Sequence, residues 1–460
     1  MYSRTVLVGV ALMLATITPV SAQVPNFTRV AGDFPVDGSP LAGAADDFNH
    51  DQKVDLAVAN NDTDDVSVLF GNGDGTFLDS GATFQLGADG QAPSAIAIGD
   101  FNHDGNPDII TANEIGSIEN GSTVTVLLGS GSTTFGEAKA TVTGNSPEAV
   151  VVGNFDGDGN LDAATADNFD DTVTILHGNG DGTFTIAQVV ALTPGASPTG
   201  LAVADLDNDG TLDLVVANNS GGPDATGSIN VLKGTASGFV LQPEMSAGFN
   251  LNVPVAVTVG DLNHDGNKDL VVVNEDGDSV SILLGTGNLT FTAANPATTS
   301  VGGLPESAAI DDFNGDGKLD IATSASLDDK VAVLAGNGDG TFVPAQSFDV
   351  ASGPFGMVTA DFNGDHKPDL ASVNVEGGNV SVLLNVTSSV VPTPTPGVVC
   401  VGDCDTSTQV TVNEIITMVN IALGNGQATD CMAGDANHDG QITVDEIISA
   451  INNALNGCTQ

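Results

Sequence analysis

Positive charge is almost missing from this 460-residue chain: 9 lysines and arginines face 59 aspartates and glutamates, a formal net charge of −50. Nucleic-acid binding needs a basic footprint, so nucleic acid is excluded as a partner. Tryptophan is absent and the single tyrosine is Tyr2, which leaves little for a sugar platform of stacked rings. Beyond residue 22 no uninterrupted apolar run approaches the roughly 20 residues of a spanning helix, so no membrane span is expected. The first 22 residues read as a secretory signal peptide, with Arg4, an apolar run from Val6 to Val20, and the small-residue site Val20-Ser21-Ala22. The mature chain is then expected to be secreted or associated with a cell surface, with Arg29 its only arginine. Catalytic signatures are missing too: there is no G-x-S-x-G elbow, H-E-x-x-H pair or phosphate loop. The six histidines are dispersed, with His50, His103, His264 and His438 at one loop position, His366 at another, and His177 before a hairpin turn. Binding is expected rather than catalysis.

What is plentiful is acid, glycine and repetition. Seven segments begin at Pro40, Pro93, Pro147, Pro198, Pro254, Pro305 and Pro354, each seven residues before an Asp-rich loop. A period of about fifty residues with four strand-like runs per unit marks a propeller blade. In the second unit Ser94-Ala95-Ile96-Ala97-Ile98-Gly99 is the first strand, Asp108-Ile109-Ile110-Thr111-Ala112 the second and Val124-Thr125-Val126-Leu127-Leu128 the third. Gly-Asn-Gly-Asp-Gly-Thr-Phe turns, ending at Phe77, Phe184 and Phe342, lead into the fourth. The last unit lacks a Phe-led fourth strand, and Phe27-Thr28-Arg29-Val30 supplies it from the N-terminus. The expected fold is all-β, a seven-bladed propeller over residues 23–386 closed by its N-terminal strand. A Pro/Thr linker over 387–399 and a small α-helical domain over 400–460 follow.

Each repeat carries a loop of the form Asp-x-Asn/Asp-x-Asp-Gly-x-x-Asp, with oxygen donors at positions 1, 3, 5 and 9 and a backbone carbonyl at position 7. The first three sets are Asp47, Asn49, Asp51, Lys53, Asp55; Asp100, Asn102, Asp104, Asn106, Asp108; and Asn154, Asp156, Asp158, Asn160, Asp162. The fourth and fifth are Asp205, Asp207, Asp209, Thr211, Asp213 and Asp261, Asn263, Asp265, Asn267, Asp269. The last two are Asp312, Asn314, Asp316, Lys318, Asp320 and Asp361, Asn363, Asp365, Lys367, Asp369. An all-oxygen set of this size suits calcium, which takes six to eight ligands at flexible geometry, giving up to seven ions in the propeller. Without a cation, neighbouring carboxylates repel by about 1 kcal/mol per pair even in water. Phe or Leu at position 2 is expected to anchor each loop in the core. Asn154 removes a charge from the third loop, and Gln52 and His366 replace the position-6 glycine. Loops two, four, five and six are therefore expected to bind best.

These units resemble the FG-GAP, or VCBS-type, repeats of integrin α-chain-like propellers, over about residues 40–384. The resemblance implies loops that bind calcium at the blade edges and stiffen the fold.

The C-terminal region repeats with an offset of 32 residues. Residues 435–446 fit the twelve-residue EF-hand loop, with Asp435, Asn437, Asp439, Gln441 and Glu446 as ligands. Residues 403–414 keep Asp403, Asp405, Gln409 and Glu414, while Ser407 weakens the set, so one or two ions are expected here. Each loop runs into an amphipathic helix carrying Ile415, Ile416, Val419 and Leu423 or Ile447, Ile448, Ile451 and Leu455. This duplication resembles a dockerin and implies a cohesin-like partner for the tail. Cys400, Cys404, Cys431 and Cys458 are expected to form disulfides, with three connectivities open. The expected role is a secreted, calcium-binding recognition or adhesion protein whose propeller takes a protein or glycan ligand. A component of an extracellular polysaccharide-degrading system is the alternative.

Overall fold

The acidic loops mark the places where each first strand hands over to its second. In the computed structural model the second strands are Asp55–Asn60, Asp108–Ile115, Asp162–Asp167, Asp213–Asn218, Asp269–Asn274, Asp320–Ala325 and Asp369–Asn374, each starting on the position-9 aspartate. These strands are rich in Val, Leu, Ile and Ala, and most of their residues are buried, as strands covered on both faces require. The structure describes residues 23–78, 82–88, 90–115, 122–220, 227–245, 251–387, 401–404, 410–435 and 441–456. The signal-peptide segment 1–22, linker residues 388–399, Cys400 and Cys458 lie outside them.

Seven antiparallel sheets form, six of four strands and one of five, making a seven-bladed β-propeller. The first strands, among them Pro40–Asp46, Pro147–Gly153 and Pro254–Gly260, touch one another in a closed cycle, the seventh blade's meeting the first blade's. The ring closes through the N-terminus: Phe27–Arg29 pairs with Asn379–Asn385, Phe27 opposite Asn385 and Arg29 opposite Leu383. Phe34–Pro35 adds a short second segment to the same strand. This pairing completes the seventh blade and leaves no blade without a neighbour on either side.

Aromatic rings stitch neighbouring blades together. The position-2 anchors Phe48, Phe101, Phe155, Leu206, Leu262, Phe313 and Phe362 are all buried. Five of them meet, edge to face, a Phe on the outer strand or hairpin of the following blade. The pairs are Phe48–Phe135, Phe101–Phe184, Phe155–Phe239, Phe313–Phe27 and Phe362–Phe77, with centroids 5.4–5.9 Å apart. Such geometry adds about 0.5–1.5 kcal/mol per pair beyond the area buried.

The chain divides into two compact units, Met1–Thr387 and Ser388–Gln460. In the second, helices Val412–Ala422 and Val444–Asn456 pack over Val410, Met418, Ile421, Ile442 and Ala450. A disulfide joins Cys404 to Cys431, which excludes the connectivities that pair either of them elsewhere. A 3-10 segment, Ala428–Gly434, enters the second loop, where the sequence shows no entering helix.

Phe27→Ala is expected to lower unfolding stability by about 3–5 kcal/mol, because Phe27 is buried against Phe313 and Phe348 and locks the closing strand. Phe169→Ala, at an 83% exposed position, should shift the denaturant midpoint by less than about 0.5 kcal/mol. Equal effects in urea titration would contradict this closure.

Candidate functional site

Each acidic loop is held at its root by a carboxylate with two backbone amides. In loop one the Phe48 N–H donates to Asp55 Oδ2 at 3.1 Å, and the Gly71 N–H, from the end of the third strand, to Oδ1 at 2.8 Å. The same two-armed clasp is made by Asp108, Asp162, Asp213, Asp269 and Asp369. In blades one to six the third-strand donor is Gly, and a Cβ on Gly71 would lie 2.1 Å from the Val54 carbonyl oxygen; in the seventh blade the donor is Asn385. Position 9 therefore does structural work as well as offering oxygen, a duty that spacing alone does not disclose.

The remaining side chains wrap the loop's own amides. Asp47 accepts from the N–H groups of Asp51 and Gln52, Asn49 from Asp51, and Asp51 from Lys53. Loops two, five, six and seven repeat the scheme through Asp100, Asn102, Asp104; Asp261, Asn263, Asp265; Asp312, Asn314, Asp316; and Asp361, Asn363, Asp365. Position 6 takes a positive φ in every loop, including 66° at Gln52 and 64° at His366. Position 4 does so as well, at His50, His103, Asn208 and His264. Two of these side chains bridge closely to the next blade: His50 Nε2 lies 2.9 Å from Asn106 Oδ1, and His103 Nε2 2.9 Å from Asn160 Oδ1.

Among the described residues two loops gather three acidic or imidazole ligand atoms within 4.8 Å of one another: Asp156, Asp162 and His177, and Asp205, Asp207 and Asp209. Elsewhere position 3 is asparagine, so the set is three carboxylates plus amide and carbonyl oxygens. Loop six supplies the sharpest test of fit to a hard cation. Asp320 is fully buried and its Oδ2 makes no hydrogen bond; the Phe313 amide is near, but not in bonding geometry. A buried, unpaired carboxylate oxygen among Asp312, Asn314 and Asp316 is a group a divalent ion would satisfy.

In the C-terminal unit Asp403, Glu414, Asp435 and Glu446, the first and last positions of both twelve-residue loops, are all buried. Glu414 forms a capping box with Thr411 and also accepts from the Cys404 N–H at 2.7 Å. Glu446 accepts from the Thr443 N–H at 2.8 Å, and Gln441 is exposed. Asp405, Ser407, Gln409, Asn437 and Asp439 lie outside the described residues.

Burial pushes the clasp carboxyls up: Asp55, Asp108 and Asp369 to about 6 and Asp320 to about 7, against the lowering effect of their amide bonds. Away from the loops, burial, helped by Glu114 and Glu275, lifts Glu148 and Glu306 to about 7. Between about pH 4 and 7 the unfolded chain has released protons that the folded chain still holds. In chelator, this contribution to stability should therefore be full below about pH 4 and be lost as pH rises to about 7. Replacing Glu148 and Glu306 together by Gln should flatten part of that fall in a pH series of thermal melts. An unchanged slope would contradict burial as the cause.

Comparison with known proteins centres on these loops. The FG-GAP-like repeat family matches residues 47–111, 154–216, 261–323 and 312–372, together just over half of the chain. Each stretch begins on the first residue of an acidic loop and spans two successive loops, so all seven are covered. No curated protein matches the chain. Among solved structures, BBS1N in complex with ARL6DN, soaked with lead, aligns with a TM-score of 0.52 at 12% identity over 79% of this chain and 98% of that one. A protein from Lactobacillus plantarum aligns with a TM-score of 0.49 at 16% identity, over 69% and 86% respectively. At such identities the likeness concerns the fold alone. With the loops, the sheets and the matched stretches in agreement, the chain belongs to the FG-GAP-like repeat family, its repeats closed into a seven-bladed β-propeller.

Proposed function

We propose that this chain is a secreted, calcium-binding recognition or adhesion protein. Its propeller presents a rigid loop face to a protein or glycan partner, and its C-terminal domain, dockerin-like in its loop-then-helix duplication, attaches it to a surface or complex through a cohesin-like module. The observation that carries the reading is the set of all-oxygen loops on one face, with the buried, unpaired Asp320 Oδ2 among them. Calcium would be held in loop one by Asp47, Asn49, Asp51, Asp55 and the Lys53 carbonyl, and in loops two, five, six and seven by the matching residues. Its double charge, when bound, would offset the mutual repulsion of the carboxylates and favour their ionised forms. The chain's own residues supply the rest: position 9 holds each loop to the end of the third strand, the position-2 anchors key it into the core, and His50 and His103 tie loops one and two to the next loop. A propeller is a common protein-binding scaffold, and among the described residues no helix is long and apolar enough to cross a membrane.

Ions bound to the folded chain alone stabilise it by mass action, by about 2.7 kcal/mol per site at 100 times the dissociation constant. Chelation with EGTA should thus lower the melting temperature markedly, and calcium should restore it. Capture by an immobilised cohesin-like module should require calcium. A melting curve indifferent to chelator would contradict the calcium reading, and capture that is absent or insensitive to chelator would contradict the attachment.

A further inference from the structure

The fourth loop differs from its neighbours in a way that only the folded chain brings out. The residue just before the clasp-donating position at the end of the third strand is apolar in five blades: Phe70, Leu128, Leu284, Ala335 and Leu384. In blades three and four it is basic, His177 and Lys233. Loop position 3 changes with it. It is Asn beside the apolar residues, in Asn49, Asn102, Asn263, Asn314 and Asn363, and Asp beside the basic ones, in Asp156 and Asp207. The structure joins these pairs: His177 Nδ1 lies 3.3 Å from Asp156 Oδ2, and Lys233 Nζ binds Asp207 Oδ2 and, at 2.8 Å, Asp209 Oδ2.

Lys233 thus bridges positions 3 and 5, two of the carboxylates an ion in this loop would need. Its capture of Asp207 is visible in the loop itself. In the other six loops the position-5 N–H donates to the position-3 side chain. In loop four that bond is not made, and Asp207 Oδ1 is buried with no hydrogen-bond partner.

We propose that the Lys233 ammonium occupies the cation position of the fourth loop, so that the chain's own charge stands between Asp207 and Asp209 in place of an ion and the loop takes up no calcium. The contrast rests on the calcium reading of the other loops. A compact, strongly hydrated point charge on a flexible stem can replace a metal ion between two carboxylates, although it brings half the charge. Balancing the extra carboxylate of Asp207 without excluding the metal is the competing account, and the stoichiometry separates the two.

The test is calcium titration by calorimetry of the full chain after chelator treatment, comparing the parent with Lys233→Met and, separately, Asp207→Asn. Lys233→Met should bind one more Ca²⁺ per chain than the parent, and Asp207→Asn should leave the parent's number unchanged. Equal numbers for the parent and Lys233→Met, or one ion lost in Asp207→Asn, would overturn the proposal. If the parent takes up no calcium, the reading of the other loops fails. The lysine assignment then stands only if Lys233→Met gains an ion, and falls if it does not. Should Lys233→Met not fold, Lys233→Leu, which places there the residue that blades two, five and seven carry, takes its place in the count with the same two outcomes.

Discussion

The constraint on which this molecule turns is electrostatic crowding: each blade folds a loop that brings three or four carboxylates together at its rim. Such a loop needs backbone amides to hold the acids in place and positive charge to hold them close. The amides come from the chain. Position 9 accepts from the loop root and from the end of the third strand, and positions 1, 3 and 5 accept from the loop's own turns. The positive charge does not come from the chain in adequate supply, since 9 bases serve 59 acids.

Placing the acids at strand junctions links charge to fold. A position-2 Phe or Leu keys each loop into the core, and the five Phe anchors meet the next blade's Phe, so a disturbance at the rim is felt between those blades. Position-4 side chains such as His50 and His103 add an outer tie between consecutive loops. The closed cycle of first strands, with these ties between blades, sets the loops on one ring rather than on seven separate turns. A ring of this kind presents a partner with a preorganised surface, which lowers the ordering cost of binding.

Much of this could be read from the residues. Seven prolines at a fixed offset gave the blade count, and Phe27 gave the closure, because the last unit lacked the strand that Phe27 begins. Loop chemistry was legible because its donors fall within nine residues. What spacing could not disclose were partners brought together across a strand. Lys233 stands 24 residues beyond Asp209, so its contact with the fourth loop depends on sheet register. The sequence ranks that loop among the best binding sites; the folded chain puts an ammonium between two of its ligands. The clasp role of Asp55 and its counterparts was hidden likewise, because the partner amide is 16 to 21 residues away. Positive φ at position 4 is legible at Gly157, Gly315 and Gly364 but not at His50, His103 and His264, because His, unlike Gly, does not advertise it.

The most direct measurement is anomalous diffraction from crystals of the full chain grown in calcium. The account predicts peaks inside loops one, two, five, six and seven, with the loop-six peak beside Asp320. Well-ordered loops with no peak in any of the five would contradict it.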